Sequence, residues 1–263
     1  MSSSGKIYFA SDLHLGTPDH ASSAAREKLF VQWLEEIRHD AAEIFIIGDI
    51  FDFWHEYKTV VPKGFVRIQG KLAELCDAGI PVHIFTGNHD LWMFGYFEQE
   101  LGAKVYTKPT QRVFNGKKFF IGHGDGLGPG DHGYKFIKAV FSNPICQFMF
   151  RWLHPDVGSR IANYFSFESR FGNEGKKKLA EEFKDEGKEW LVQFCKESLK
   201  KEHFDYFVFG HRHLVLDVQV GPNSRYINTG DWLDFNSYAV FDGEKMEIKY
   251  YGKEPRTESQ EPR

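Results

Sequence analysis

Cysteine is scarce: the 263 residues contain three, Cys76, Cys146 and Cys195, widely separated and in no paired spacing. That excludes a disulfide framework and a thiolate metal cluster, and it suits a reducing cytoplasm. Long hydrophobic runs are missing too. No stretch approaches the roughly 18 uninterrupted apolar residues of a membrane-spanning helix. The opening Met1-Ser2-Ser3-Ser4-Gly5 has no apolar segment of the kind that marks a secretory leader. Positive charge is not in excess: 33 Lys and Arg against 37 Asp and Glu leave a formal net charge of −4. No global basic field therefore draws the chain to nucleic acid, and nucleic acid is not an expected partner. No internal repeat of fixed period is visible, so a repeat array is excluded.

What the chain does have is five short polar motifs in order: Asp12-Leu13-His14, Gly48-Asp49, Gly87-Asn88-His89-Asp90, Gly122-His123-Gly124-Asp125 and Gly210-His211-Arg212-His213. Most follow an apolar run: Ile7 to Ala10, Ile44 to Ile47, Val82 to Phe85, Phe119 to Ile121 and Tyr206 to Phe209. Short runs rich in β-branched and aromatic residues read as buried strands. The polar groups then sit at strand C-terminal ends, where open α/β sheets place their sites. A single Asp or His after a strand is more often a cap or turn residue than a ligand. Five such motifs together have no packing reason to supply these groups. Carboxylate, imidazole and amide oxygen without thiolate suit a borderline-hard divalent ion such as Mn, Fe or Zn. Two clusters suggest two ions, and Asp49, alone on its loop, is the natural bridge between cations roughly 3.5 to 4 Å apart.

This set resembles the calcineurin-like metallophosphoesterases, whose pattern is D-x-H, G-D-x-x-D, G-N-H-D/E, G-H and G-H-x-H; it is matched from Asp12 to His213. The resemblance implies an α/β fold, a four-layer α-β-β-α sandwich. Position by position it implies that Asp12, His14, Asp49 and His213 hold one ion, and Asp49, Asn88, His123 and His211 the other. The expected cofactor is two divalent ions, with Mn²⁺ foremost. His89 matches the family's transition-state histidine, Asn88 holds the transition state beside it, and Asp52 matches the carboxylate that orients His89.

Helical spacing predicts helices over 22–38, 64–78 and 91–101, and Asn115-Gly116 predicts a type I′ hairpin. Beyond His211 the alternation is all β, and these strands are expected to build the second sheet. The charged tail 253–263 is expected to be disordered. The core is expected over 1–130 and 202–252, interrupted by a helical lid insertion over 131–201. That insertion is dense in apolar and aromatic residues from Phe136 to Leu153, broken at Pro144, and interleaved with cations such as Arg151 and Arg170. A packing cap explains most of these positions. Aromatics beside cations also suit a substrate with an apolar body and an anionic head.

The layout resembles one subfamily closely, the UDP-2,3-diacylglucosamine diphosphatases of lipid A synthesis, which carry a helical lid between the same two motifs. Asp131 and Tyr134 fall where that subfamily binds substrate. Ser169, Asn173 and Lys176 lie in a run similar in outline to its lid contacts, and Trp54 matches a tryptophan after its second motif. The enterobacterial-type members read Gly-Asn-Arg-Asp with Glu in the second motif, whereas this chain carries His89 and Asp52. The resemblance implies cleavage of UDP-2,3-diacylglucosamine to 2,3-diacylglucosamine 1-phosphate and UMP. The partners it implies are a lipid-linked nucleotide sugar and the cytoplasmic membrane surface, touched peripherally, with no protein partner. A rival keeps the site and changes the substrate to soluble nucleotides or phosphoproteins, as a metallophosphodiesterase or phosphatase. A non-catalytic scaffold would have lost ligands, and all seven are present.

Overall fold

The computed structural model describes residues 5–128, 132–158, 160–161 and 189–252. The chain begins β1 (Lys6–Ala10), α1 (His20–Ile37), β2 (Ala41–Ile47), α2 (Val66–Asp77), β3 (Val82–Phe85), α3 (Tyr96–Gln99) and β4 (Lys104–Tyr106). It continues through β5 (Thr110–Phe114), β6 (Lys117–Ile121), α4 (His132–Phe141), α5 (Pro144–Arg151) and α6 (Trp190–Leu199). It closes with β7 (Tyr206–Phe209), β8 (Val215–Gly221), β9 (Ser224–Thr229), β10 (Ser237–Phe241) and β11 (Met246–Tyr250). One sheet runs β11-β10-β1-β2-β3-β4 and the other β5-β6-β7-β9-β8.

The apolar runs follow from burial on both faces. Along β1 and β2, Tyr8, Ala10, Ile44 and Ile46 point to α1 and α2, meeting Phe30, Trp33, Leu34, Ile68, Leu72 and Leu75. Their alternates Ile7, Phe9, Phe45 and Ile47 face the other sheet and meet Phe119, Ile121, Tyr206, Val208 and Ile227. The far side of that second sheet offers Phe207, Phe209, Val218, Val220 and Tyr226 to Leu191, Val192 and Cys195 of α6. Helices, sheet, sheet and helix thus make the four expected layers. Each fully buried Phe, Leu or Ile contributes about 1.5–3 kcal/mol.

Three expectations need correction. The strands after His211 divide between the sheets: β8 and β9 complete the second, but β10 crosses to pair antiparallel with β1, followed by β11. Tyr238 and Val240 face the α1 side while Ala239 and Phe241 face inward, so β10 needs cover on both faces, which the position beside β1 supplies. The helix expected over 91–101 shrinks to α3. Its predecessor is held extended by a Trp92 bridge to His55, and Gly95 adopts φ 129°. The Glu56 carboxylate accepts the Phe94 and Tyr96 amides. Finally, α6 lies within the expected insertion yet forms the outer layer on the second sheet.

In the first part of that insertion, Asn143 caps α5 by accepting the Ile145 amide at 2.8 Å, and Pro144 occupies its first turn. The Trp92 indole donates to the Phe141 carbonyl at 2.8 Å. Phe150 packs at a tilt against Trp92 and His55, with centroids 4.5 and 4.9 Å away. Asp131, Ser169, Asn173, Lys176 and the tail 253–263 lie outside the described residues; Tyr134 falls in α4, where only its backbone is described. No described helix is long and apolar enough to cross a membrane.

Candidate metal centre

The parallel strands β1, β2, β3, β6, β7 and β9 all deliver their C-terminal ends to one edge. Asp12 and His14 follow β1, Asp49 follows β2, Asn88 and His89 follow β3, His123 follows β6, and His211 and His213 follow β7. Of the eight non-glycine residues with positive φ among those described, five are candidate ligands: Asp12 (56°), His14 (45°), Asp49 (52°), His211 (68°) and His213 (51°). Left-handed backbone at Asp and His persists where surrounding structure enforces it. Here glycine makes it possible. A Cβ on Gly48 would stand 2.5 Å from the His123 Nδ1, one on Gly87 2.6 Å from the Asp49 amide nitrogen, and one on Gly210 2.5 Å from the Asp12 carboxylate.

Both buried carboxylates are held by one oxygen. Asp12 Oδ2 accepts the His211 amide at 2.9 Å and the Ser11 hydroxyl, and Asp49 Oδ1 accepts the His89 amide at 2.9 Å. The other oxygens, Asp12 Oδ1 and Asp49 Oδ2, are buried without a hydrogen-bond partner. Each faces imidazole nitrogens. Asp12 Oδ1 lies 3.6 Å from His14 Nε2 and from His213 Nε2; Asp49 Oδ2 lies 3.6 Å from His14 Nε2 and 3.2 Å from His123 Nε2. Ligands of one divalent ion with bonds of about 2.0–2.2 Å stand about this far apart. The orphaned oxygens therefore fit a pair of cations. Ligand atoms converge in the groups Asp12, His14, His213 and Asp49, His123, His211. A third overlapping group, His14, Asp49 and His89, brings His89 to the same edge. Asn88 Oδ1 is 3.2 Å from His123 Nε2, so it joins the second set.

The imidazoles are aimed from behind. His123 Nδ1–H donates to the Ile47 carbonyl at 2.8 Å and His213 Nδ1–H to Asp231 at 3.1 Å, which turns each Nε2 lone pair inward. His89 Nδ1 lies 3.0 Å from the backbone carbonyl of Asp52 and 3.8 Å from its carboxylate. The nearer orienting group is the Asp52 main chain rather than its side chain. Burial disfavours a charge on His123, but the Asp49 carboxylate outweighs it and raises its pKa to about 10 when no cation is present. Burial and the neighbouring His123 charge lower His211 to about 4. Burial would raise Asp12 and Asp49, yet the surrounding histidines hold both well below the usual carboxylate range.

Three supporting residues went unassigned in the sequence. Asp90 is fully buried and accepts the amides of Gly87 at 2.7 Å, Ile50 at 2.8 Å and Asp49 at 3.3 Å, so it ties the second motif to the third. Burial and the Asp49 charge raise its pKa to about 7. Arg26 of α1 donates to the carbonyls of Leu13, His14 and Thr17 at 2.6–2.7 Å, bracing the first motif. Asp231 ends the segment Ile227-Asn228-Thr229-Gly230-Asp231, which repeats the strand-Gly-Asp pattern of Ile46-Ile47-Gly48-Asp49 and was findable on that ground.

Residues 5–215 match the family model of calcineurin-like phosphoesterases. A UDP-2,3-diacylglucosamine hydrolase of Porphyromonas gingivalis is 39% identical over 253 residues, covering 93% of this chain and 97% of its own length. One from Histophilus somni is 27% identical over 232 residues, covering 86% and 92%. Among solved structures, the phosphoesterase Yfce from E. coli aligns over 94% of this chain and 93% of its own, at 15% identity and a TM-score of 0.47.

Proposed function

Since the chain belongs to the calcineurin-like phosphoesterase family, we propose that it is a dinuclear metal-dependent pyrophosphohydrolase that cleaves UDP-2,3-diacylglucosamine to 2,3-diacylglucosamine 1-phosphate and UMP. The observation that carries this reading is the 39% identity to a hydrolase of that name across nearly the full length of both chains. When bound, two divalent ions, Mn²⁺ in our reading, would activate water and offset charge on the phosphoryl oxygens. Asp12, His14, Asp49 and His213 would hold one, and Asp49, Asn88, His123 and His211 the other. Asp49 would bridge, as its place between His14 and His123 supports.

The remaining work falls to the chain's own groups. His89 keeps its Nδ1 proton and donates it in a hydrogen bond to the Asp52 carbonyl, which leaves Nε2 to carry the proton that the departing sugar phosphate oxygen requires. Asn88 keeps its amide beside the phosphoryl group. Residues from 131 to the start of α6 form the lid over the acyl chains, with Asp131, Tyr134, Ser169, Asn173 and Lys176 as substrate contacts. Exposed apolar side chains on and just after α5 support a peripheral seat on the membrane that holds such a substrate: Ile145 is 68% exposed, Met149 66% and Trp152 77%.

Rates with Mn²⁺ on UDP-2,3-diacylglucosamine and on UDP-glucosamine, with UMP as the measured product, test the assignment. Since each buried CH₂ contributes about 0.8 kcal/mol, kcat/KM should favour the diacylated substrate by several orders of magnitude. Equal turnover of the two would overturn the substrate and leave the phosphoesterase.

A further inference from the structure

The two helices that flank the expected lid are each fastened by an ion pair to a loop that carries a candidate metal ligand. On the entering side, Lys138 of α4 reaches Asp125 Oδ2 at 2.5 Å, and Lys135 donates to the Gly128 carbonyl at 2.7 Å. Asp125 is buried two residues after His123.

On the returning side, Arg212 stands between His211 and His213. Its Nε bonds both oxygens of Glu189 at 3.1 Å and a terminal nitrogen lies 3.0 Å from one of them. Glu189 is buried and immediately precedes α6. The guanidinium also covers the Trp190 ring at 5.1 Å, and that ring stacks on His211 with centroids 6.0 Å apart and planes 24° apart. A Cβ on Gly128 would lie 2.7 Å from the Trp190 carbonyl, so the two fastenings abut. His123, two residues before Asp125, and His211, beside Arg212 and under Trp190, converge on the same group with Asp49.

We propose that Lys138–Asp125 and Arg212–Glu189 are positioning pairs that couple the seating of α4 and α6 to occupancy of the cation site formed by Asp49, Asn88, His123 and His211. The inference rests on the metal reading given above. A bidentate pair on a buried carboxylate fixes a loop more narrowly than a point contact does. The groups behind a metal ligand set how well it is aimed. Coupling between binding and helix seating is reciprocal: whatever cation binding adds to the order of α4 and α6, their order adds to cation affinity.

The test uses the full chain stripped of metal, titrated calorimetrically with Mn²⁺, and followed by backbone hydrogen exchange in α4 and α6. Lys138→Gln, Glu189→Gln and Arg212→Lys are compared with the unaltered chain, and His123→Gln identifies which binding step belongs to the second site. We expect the unaltered chain to take two ions and to gain exchange protection in both helices. Lys138→Gln and Glu189→Gln should weaken the second step about tenfold and lose that gain, with Arg212→Lys, which keeps the charge without the chelate, falling between. Uptake of fewer than two ions by the unaltered chain would remove the metal reading itself. Two ions bound as tightly in all three variants, whatever their melting temperatures, would overturn the coupling and leave the pairs as packing contacts.

Discussion

At the scale of single residues, the division of labour around the two buried aspartates separates candidate ligands from the groups that aim them. His89 lies at the shared edge but takes no part in the proposed ligand sets, so His89→Ala is expected to keep both ions while kcat falls by about 10² to 10⁴. Elemental analysis beside steady-state rates checks this, and metal loss in that variant would reassign His89 as a ligand. His123 offers a second measurement. Its metal-free pKa is raised to about 10, so it is protonated throughout pH 7–9, and a cation must displace that proton. His211, lowered to about 4, has none to lose there. Cation affinity should therefore rise with pH by up to tenfold per unit below about pH 10, with close to one proton released per second-site ion at pH 8. Calorimetry in buffers of differing ionisation enthalpy reads that proton directly. Most of these residues were legible because ligand chemistry needs particular side chains. The Asp52 carbonyl was not, since a main-chain group leaves no trace in residue type.

Elements were legible where burial dictated composition. The runs 7–10, 44–47 and 206–209 are apolar throughout because both faces of their strands are covered, and each proved to be a strand. The choice of sheet was not legible for β10, since two-sided apolar character says that a strand is covered and not by what. The stretch from Leu91 failed for another reason: Met93, Phe97 and Leu101 have helical spacing, but the Glu56 carboxylate takes the Phe94 and Tyr96 amides. Of the substrate contacts within 131–201, Ser169, Asn173 and Lys176 rested on outline alone, and all but Tyr134 fall outside the described residues. Among the helices, α1 does more than cover a sheet, since Arg26 donates to two carbonyls of the first motif, Leu13 and His14, and to that of Thr17 just after it. Arg26→Met should leave the Leu13 and Thr17 carbonyls without that donor and the His14 carbonyl with only the Thr17 amide at 3.4 Å, and cost about 3 kcal/mol. A lower urea midpoint at unchanged slope is the expected signature, and an unshifted midpoint would show that water replaces the guanidinium without loss.

For the molecule as a whole, cation binding and stability are one equilibrium. Metal held at 100 times its dissociation constant adds about 2.7 kcal/mol to the folded state, which for a chain of this size raises Tm by about 5–10 °C. Chelator in a differential scanning calorimeter should remove that increment and metal restore it; a Tm indifferent to both would mean that the ions are not bound by the fold as described. The left-handed backbone at five candidate ligands has a further consequence for any attempt to evolve or engineer this chain. Without cations, two of them, Asp12 and Asp49, combine conformational stress with a buried, unpartnered carboxylate oxygen, so replacing either by Gly relieves both at once. A library ranked by heat resistance in chelator would place its inactive members at the top, and the same library ranked in Mn²⁺ would invert that order. Thermostability screens on this chain thus select for or against its chemistry according to the buffer.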